Sequence, residues 1–221
     1  MPPPRVRVVA SNGAEKARIE DALRWGGLDP AADGDAHVVA VIFDGAAGPP
    51  WPEVPTIVIS SKTDIDSFAN AINNGAAAYL TTPVEAAELT ATVHRLAQWK
   101  APKAGMTTRK RPRRPLLLDV DLLIDGRIVR GHLVDVSAGG CRVEAYGRVS
   151  RGSLVRVTPR ALGTSTGIAL GATVTRTRRD DTIQPPVCEV ALRFNGTSAL
   201  LAARIFGTPD AERRQSLRTH S

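Results

Sequence analysis

Arg109-Lys110-Arg111-Pro112-Arg113-Arg114 and, a hairpin later, Asp135-Val136-Ser137-Ala138-Gly139-Gly140 decide how this chain is read. The first stretch is a basic run between two unlike halves. The second is a polar, glycine-ended turn between two apolar strand patterns. An arginine offers a planar fork of donors that suits phosphates and guanine edges and can stack on flat rings. A short turn with a carboxylate, a hydroxyl and a glycine offers an acceptor, a donor and room for backbone approach. Together they suit one polyanionic ligand.

The halves on either side differ in charge. The 221 residues carry a net +7, but residues 1–100 hold 8 Lys and Arg against 12 Asp and Glu, a balance of −4. Residues 101–221 hold 21 against 10, a balance of +11, and all but two of those cations are arginine. An anionic partner for the second half is therefore expected. Hydrophobic residues make up 43%, enough for packed cores. No apolar run approaches the roughly 18 residues that span a bilayer, and the N-terminus carries no long apolar leader segment. A cytoplasmic protein is expected. Cys141 and Cys188 each sit in an apolar strand pattern, as buried thiols rather than a disulfide or a nucleophile.

Downstream of the basic run the pattern is all-β. Pro115 to Ile124 is an apolar strand, Asp125-Gly126 a hairpin turn, and Ile128 to Val136 the returning strand. Cys141 to Ala145, Leu154 to Val157, Ile168 to Thr177 and Val187 to Phe194 add four more, with Arg178-Arg179-Asp180-Asp181 read as a polar turn. Six short strands with close turn signals indicate a small barrel or sandwich. Ser198 to Phe206 reads as one helix capped by Ser198 and closing the barrel mouth.

Arg109-x-x-x-Arg113 followed by Pro115 and a strand, then Asp135-x-Ser137-x-x-Gly140, then Leu192-Arg193-Phe194 and a helix, resembles a PilZ domain over about residues 105–206. Either motif alone is weak; both in order in an all-β context are specific. The resemblance implies a receptor for cyclic di-GMP. Arg109 and Arg113 would grip guanine O6 and N7 or stack on a base. Asp135 would accept from guanine N1 and N2 hydrogens, Ser137 would offer its hydroxyl, and Gly140 would admit the close approach. It also implies that binding orders the arginine segment and reorients the preceding domain.

The first half alternates strands and helices. Val6 to Ala10, His37 to Asp44, Thr56 to Ser61 and Ala78 to Leu80 are strands; Ala14 to Trp25, Asp64 to Asn74 and Pro83 to about Trp99 are helices, the last with Val84, Ala87, Leu89, Val93 and Leu96 as its apolar positions. Fully apolar strands in such an order form a parallel sheet covered on both faces, with ligands at the carboxyl ends of its strands. Gly75-Ala76, Ala78-Tyr79-Leu80 and Thr82-Pro83-Val84 within residues 69–97 resemble the closing third of a response-regulator receiver. The resemblance places Asp44 at the phosphoacceptor position and Ser60 at the hydroxyl position. Ser11 and Asn12 stand where an acidic pair would hold Mg²⁺, and Thr82 stands where a lysine belongs. One aspartate with neutral neighbours holds that ion poorly, so phosphorylation of Asp44 is not expected. The helical faces could form a homodimer, as in many receivers.

The expected fold is therefore α/β plus all-β: a degenerate receiver-like doubly wound parallel sheet (1–100), a linker with the arginine motif (101–114), a PilZ-type antiparallel β-barrel with a C-terminal helix (115–207) and a polar tail (208–221). The expected function is that of a cyclic di-GMP effector with an unidentified downstream protein partner, and not an enzyme. No metal set, Walker loop or nucleophile–base pair is found, so no cofactor is expected beyond the ligand. His37 and His132 are read as structural and without acidic companions. A nucleic-acid-binding regulator and a phosphorylation-driven response regulator are the alternatives. Only Tyr146, Phe194 and Phe206 supply stacking rings in the basic half, which disfavours single-strand binding.

Overall fold

A computed structural model describes residues 3–32, 39–43, 54–98, 114–162, 168–180 and 186–206. The chain divides into two compact units, Met1–Ala104 and Gly105–Ser221.

In the N-terminal unit, β1 (Arg5–Val9), α1 (Gly13–Trp25), β2 (Asp29–Pro30), β3 (Val39–Phe43), β4 (Thr56–Ser60), α2 (Ile65–Asn73), β5 (Ala78–Thr81) and α3 (Ala86–Gln98) follow in order. The five strands pair in parallel in the order β2-β1-β3-β4-β5. That is the order of the doubly wound sheets to which receivers belong. Val6, Val8, Val41, Ile57 and Ile59 are buried in the strands, and Leu23, Phe68, Ile72, Leu89, Val93 and Leu96 in the helices. Phe68 meets Tyr79 edge-on at 5.2 Å between centroids. The Tyr79 hydroxyl donates to the Lys62 carbonyl at 2.7 Å, which satisfies its buried polar end.

Three expectations change here. The two-residue β2 was not anticipated, since so short a pairing leaves no pattern. The last helix starts at Ala86, three residues after Pro83. Ala87, expected on its apolar face, is exposed, while Thr92 is buried and donates its hydroxyl to the Glu88 carbonyl at 2.8 Å.

Helix starts follow their caps. Asn12 Oδ1 accepts from Ala14 N at 2.9 Å. The side chain at the position where an Mg²⁺ carboxylate would stand thus closes the first turn of α1. Asn12→Ala is expected to cost about 1 kcal/mol of stability in chemical denaturation, and Asn12→Asp to cost little. Asp64 Oδ1 accepts from Ser67 N at 2.8 Å at the start of α2. Hydrogen bonds from the Ser67 backbone, then from its side chain, hold the Asp64 carboxyl below the usual aspartate range. A carboxylate depressed in the folded state adds stability above its unfolded pKa and loses it as pH falls through the folded value. Asp64→Asn keeps the cap, so its melting temperature should fall less than wild type's on acidification below the ordinary aspartate range.

The C-terminal unit is a closed barrel. β6 (Arg114–Ile124), β7 (Arg127–Ser137), β8 (Gly140–Ala145), β9 (Leu154–Pro159), β10 (Leu170–Asp180) and β11 (Val187–Phe194) are joined in the order β6-β7-β8-β11-β10-β9, and β9 pairs back to β6. Every pair is antiparallel. Alternation fills the interior: Leu116, Leu118, Val120, Leu122 and Ile124 from β6 meet Cys141, Val143 and Ala145 from β8 and Cys188, Val190, Leu192 and Phe194 from β11. Both cysteines are buried and free. The β6–β7 hairpin turns through Asp125 and Gly126 at φ 49° and 76°, the left-handed pair that a two-residue turn with the sheet's own twist requires.

β10 runs on to Asp180, so Arg178 and Arg179 lie in a strand rather than in the expected turn; their partners Glu189 and Cys188 continue the ladder. A single 3₁₀ turn, Arg160–Leu162, follows β9. The last helix, α4 (Gly196–Phe206), starts two residues before Ser198. Ser198 does not cap it. Its hydroxyl oxygen accepts from Gly171 N at 2.8 Å and ties α4 to the start of β10. Phe206 stacks on Phe194 at 6.5 Å, so α4 packs at the barrel end where β11 finishes and β8 begins.

Candidate functional site

The turn between β7 and β8 gathers three of the expected site residues. Strict alternation along β7 from Gly131 and Leu133, both buried, would point residue 135 into the core. A bulge between Leu133 and Asp135 prevents this. Leu133 faces Val143 and Asp135 faces the very next β8 residue, Arg142, so Val134 is the extra residue. Val136 then takes the inward position and is fully buried, and Asp135 is turned outward.

On the outer face Asp135 meets Arg142. Arg142 Nε lies 2.9 Å from Asp135 Oδ2, and Arg142 Nη1 lies 3.7 Å from Glu189 Oε1. The Nε contact is an ion pair off the N–H axis rather than a linear hydrogen bond. Asp135 keeps 17% of its side-chain surface exposed and Arg142 39%. Arg142 was not singled out from the sequence. Its signal was an outward position two residues after Gly140, which becomes meaningful only once the bulge sets the register.

Ser137 donates its hydroxyl to the Gly140 carbonyl at 3.2 Å, across the two-residue connection. Phe194 N donates to the Gly139 carbonyl at 3.1 Å, which ties the same turn to the end of β11. Gly140 faces Arg193 in register. A Cβ on Gly140 would overlap the Leu192 carbonyl oxygen and stand 3.1 Å from Arg193 Cα. The close approach that requires glycine is thus made by the protein's own strand β11. Arg193 is exposed beside buried Phe194, as its alternation implies. Arg142, Arg193 and Arg176 bring positive charge to the outer face of β8, β11 and β10 near the turn, where Arg176 faces Ala191.

Strand β6 begins beside the same turn. Arg114 pairs with Val136 and Pro115 with Asp135. Arg109 and Arg113 lie outside the described residues, as do Asp44 and His37. In the N-terminal unit, Ser60 is buried and its Oγ accepts from Lys62 N at 3.1 Å. Thr82 N donates to the Ser60 carbonyl at 3.0 Å.

His132 has an acidic companion, contrary to its solitary reading. Asp119 faces it across β6–β7, and His132 Nδ1 is bonded to Asp119 Oδ1. Arg160 Nη1 lies 3.7 Å from Asp119 Oδ2, and the Tyr146 ring stands edge-on to the imidazole at 5.2 Å. The pairing was hidden because its members are 13 residues apart and meet only through the hairpin register. No group of three or more His, Cys, Asp or Glu suited to a metal occurs among the described residues.

The closed antiparallel barrel, its terminal helix and the Asp-x-Ser-x-x-Gly turn coincide with a match to the PilZ domain profile over residues 107–206. Residues 107–206 are a PilZ domain. The PilZ domain thus contains every site residue expected in the C-terminal half, from Arg109 to Gly140. A search of curated proteins found no match to the chain. Among solved structures, the Bacillus subtilis inhibitor of motility MotI is 19% identical, with 53% of this chain and 57% of MotI covered at a TM-score of 0.36. The chain therefore spans little more than half of MotI. The PilZ domain of YcgR from Escherichia coli, solved with c-di-GMP, is 16% identical, covering 51% of this chain and 98% of that one at a TM-score of 0.35. A response regulator receiver protein from Burkholderia phymatum is 20% identical, covering 45% and 98% at a TM-score of 0.38. No helix among the described residues is long and apolar enough to cross a membrane.

Proposed function

We propose that the chain is a non-enzymatic cytoplasmic effector that binds cyclic di-GMP at the turn end of its PilZ barrel. The observation that carries this reading is the β7 bulge, which turns Asp135 outward beside the start of β6. Arg113 immediately precedes Arg114, so its Cα is bonded through one peptide, about 3.8 Å away. An arginine motif with that attachment reaches a ligand resting on Asp135 and Ser137. Asp135 then accepts from a guanine Watson–Crick edge while Arg109 and Arg113 take Hoogsteen edges, stacking faces or phosphates. Arg142, already paired with Asp135, adds charge that favours the phosphates.

The residues 101–113, up to the start of β6 at Arg114, act as the hinge in this account. Ligand binding fixes the arginine segment against the barrel and changes the position of residues 1–100, and with it the contacts offered to a partner protein. The N-terminal unit contributes surface, for a homodimer or another protein, rather than phosphoryl chemistry.

The base-edge contacts make a selective prediction. Fluorescence anisotropy with labelled cyclic di-GMP is expected to show competition by unlabelled cyclic di-GMP at least about tenfold stronger than by cyclic di-AMP, because adenine lacks the O6 acceptor and the N1 and N2 donors. Equal competition by both, or preferential binding of duplex DNA with a steep salt slope, overturns the assignment.

A further inference from the structure

The outer wall of the barrel near the β6–β7 turn carries apolar side chains where alternation calls for polar ones. Leu122 and Ile124 on β6 and Val155 and Val157 on β9 point inward and are buried. Leu123 and Leu154 between and beside them therefore point outward, 37% and 70% exposed. Ile128, 66% exposed, faces Leu123 across the hairpin. Arg156 faces Leu123 from the other side, and Leu154 precedes it by two residues on the same face of β9. The three aliphatic side chains are thus direct and diagonal neighbours, within the reach of cross-strand pairs. Single aliphatic residues on a surface need no explanation, but a contiguous group with a polar rim marks a contact surface.

The rim is basic. Arg156 borders Leu123, Arg130 follows Ile128 on the outer face of β7, and both are exposed. Residues 121–130 and 146–156, which build this end of the barrel, hold five arginines against two aspartates. Of the two, Asp121 faces Arg130 in register and Asp125 sits in the turn. Tyr146 lies beside Arg130, whose carbonyl accepts from its N–H at 2.9 Å, and is 40% exposed. The β7–β8 turn is at the far end of β7, roughly 30 Å of strand from Ile128.

We propose that this wall is a docking surface for an anionic lipid bilayer, separate from the cyclic di-GMP turn. Ile128, Leu154 and Leu123 enter the boundary between headgroups and acyl chains. Arg130 and Arg156 meet the headgroup phosphates, and the Tyr146 ring sits at headgroup level. The charge of the face decides the occupant. A second copy of the same wall would set arginine against arginine, and like charges across an interface oppose association. A specific protein interface buries about 800 Å² on each partner around aromatic or arginine anchors seated in pockets. Here three aliphatic side chains stand on the convex outside of a barrel, and a bilayer surface needs no complementary shape to receive them.

The test is co-sedimentation of the full chain, without cyclic di-GMP, with vesicles of phosphatidylglycerol and phosphatidylcholine in equal parts and with vesicles of phosphatidylcholine alone. Binding to the mixed vesicles is expected, at least about tenfold tighter than to the neutral ones and weakened by salt. Ile128→Ser with Leu154→Ser keeps every charge and should weaken binding to the mixed vesicles at least about tenfold. Arg130→Ser with Arg156→Ser should weaken it at least about tenfold as well. Arg176→Ser with Arg178→Ser removes the same charge from β10, two strands round the barrel from β6, and should weaken it at most about threefold. All six side chains are exposed, so each variant should keep the wild-type melting curve. Equal losses from the two arginine pairs, or no loss from the aliphatic pair, reduce the contact to net charge and overturn the proposal. Self-association in sedimentation velocity that Ile128→Ser with Leu154→Ser abolishes, without vesicle binding, assigns the wall to a second copy and overturns it. Absence of both leaves the wall to a partner protein and overturns it too.

Discussion

Arg113→Ala is expected to weaken cyclic di-GMP binding at least about a hundredfold while leaving the thermal unfolding of the barrel unchanged. A guanidinium fork on a base edge is worth about 1–3 kcal/mol, and a charge-assisted hydrogen bond to phosphate a similar amount. Loss of both therefore removes roughly two decades or more of affinity. Arg113 belongs to the basic run that precedes the apolar pattern of β6 in the sequence, so its loss is expected to spare the fold. Arg113→Lys separates the two contributions. Lysine keeps the charge but not the planar fork, so it should recover the phosphate part and little of the base-edge part. If lysine restores full affinity, Arg113 acts as a point charge and the base-reading role is wrong. Calorimetry on the three forms, at one fixed ionic strength, measures the difference.

Gly140→Ala is expected to destabilise the unliganded barrel by about 1–3 kcal/mol or more, the range of an overpacked core position. The added Cβ overlaps the Leu192 carbonyl, and the atom it meets is backbone in a paired strand rather than the end of a flexible side chain. Relief requires β8 and β11 to separate where the turn is also tied by Phe194 N to Gly139 O. Ser137→Ala removes one hydroxyl bond to the Gly140 carbonyl and should cost only about 1 kcal/mol. Denaturant unfolding without ligand distinguishes two roles for the glycine. A large stability loss shows that it serves strand packing. Unchanged stability with lost binding shows that it serves ligand approach alone.

The parts of the fold that were legible from sequence are those written in local pattern. Asp125-Gly126 between alternating apolar runs announced the β6–β7 hairpin, and its two positive φ angles are the reason only such residues serve there. The apolar runs of β1 and β4 and the helices α1 and α2 were read for the same local reason, to within a residue at their starts, while the capping roles of Asn12 and Asp64 were not. What escaped depends on partners distant in sequence. Asp135 points outward only because Val134 is an extra residue opposite β8, and a bulge is a property of two strands. Arg142 gains its place through that bulge, and the Asp119–His132 pair through the hairpin register. Arg178-Arg179-Asp180 looked like a turn because it is polar, yet β11 supplies the ladder that keeps it extended. Ser198 looked like a cap because helices start at serine, yet it is bonded across to β10.

The central claim is that the arginine motif and the Asp135–Gly140 turn form one cyclic di-GMP site. Isothermal calorimetry of the intact chain with cyclic di-GMP, run side by side on wild type and Arg109→Ala, tests it most directly. The account predicts saturable binding by wild type with a whole-number stoichiometry, and loss of that binding in the variant without loss of fold. Absence of binding by folded wild type, or equal binding by both proteins, would contradict it.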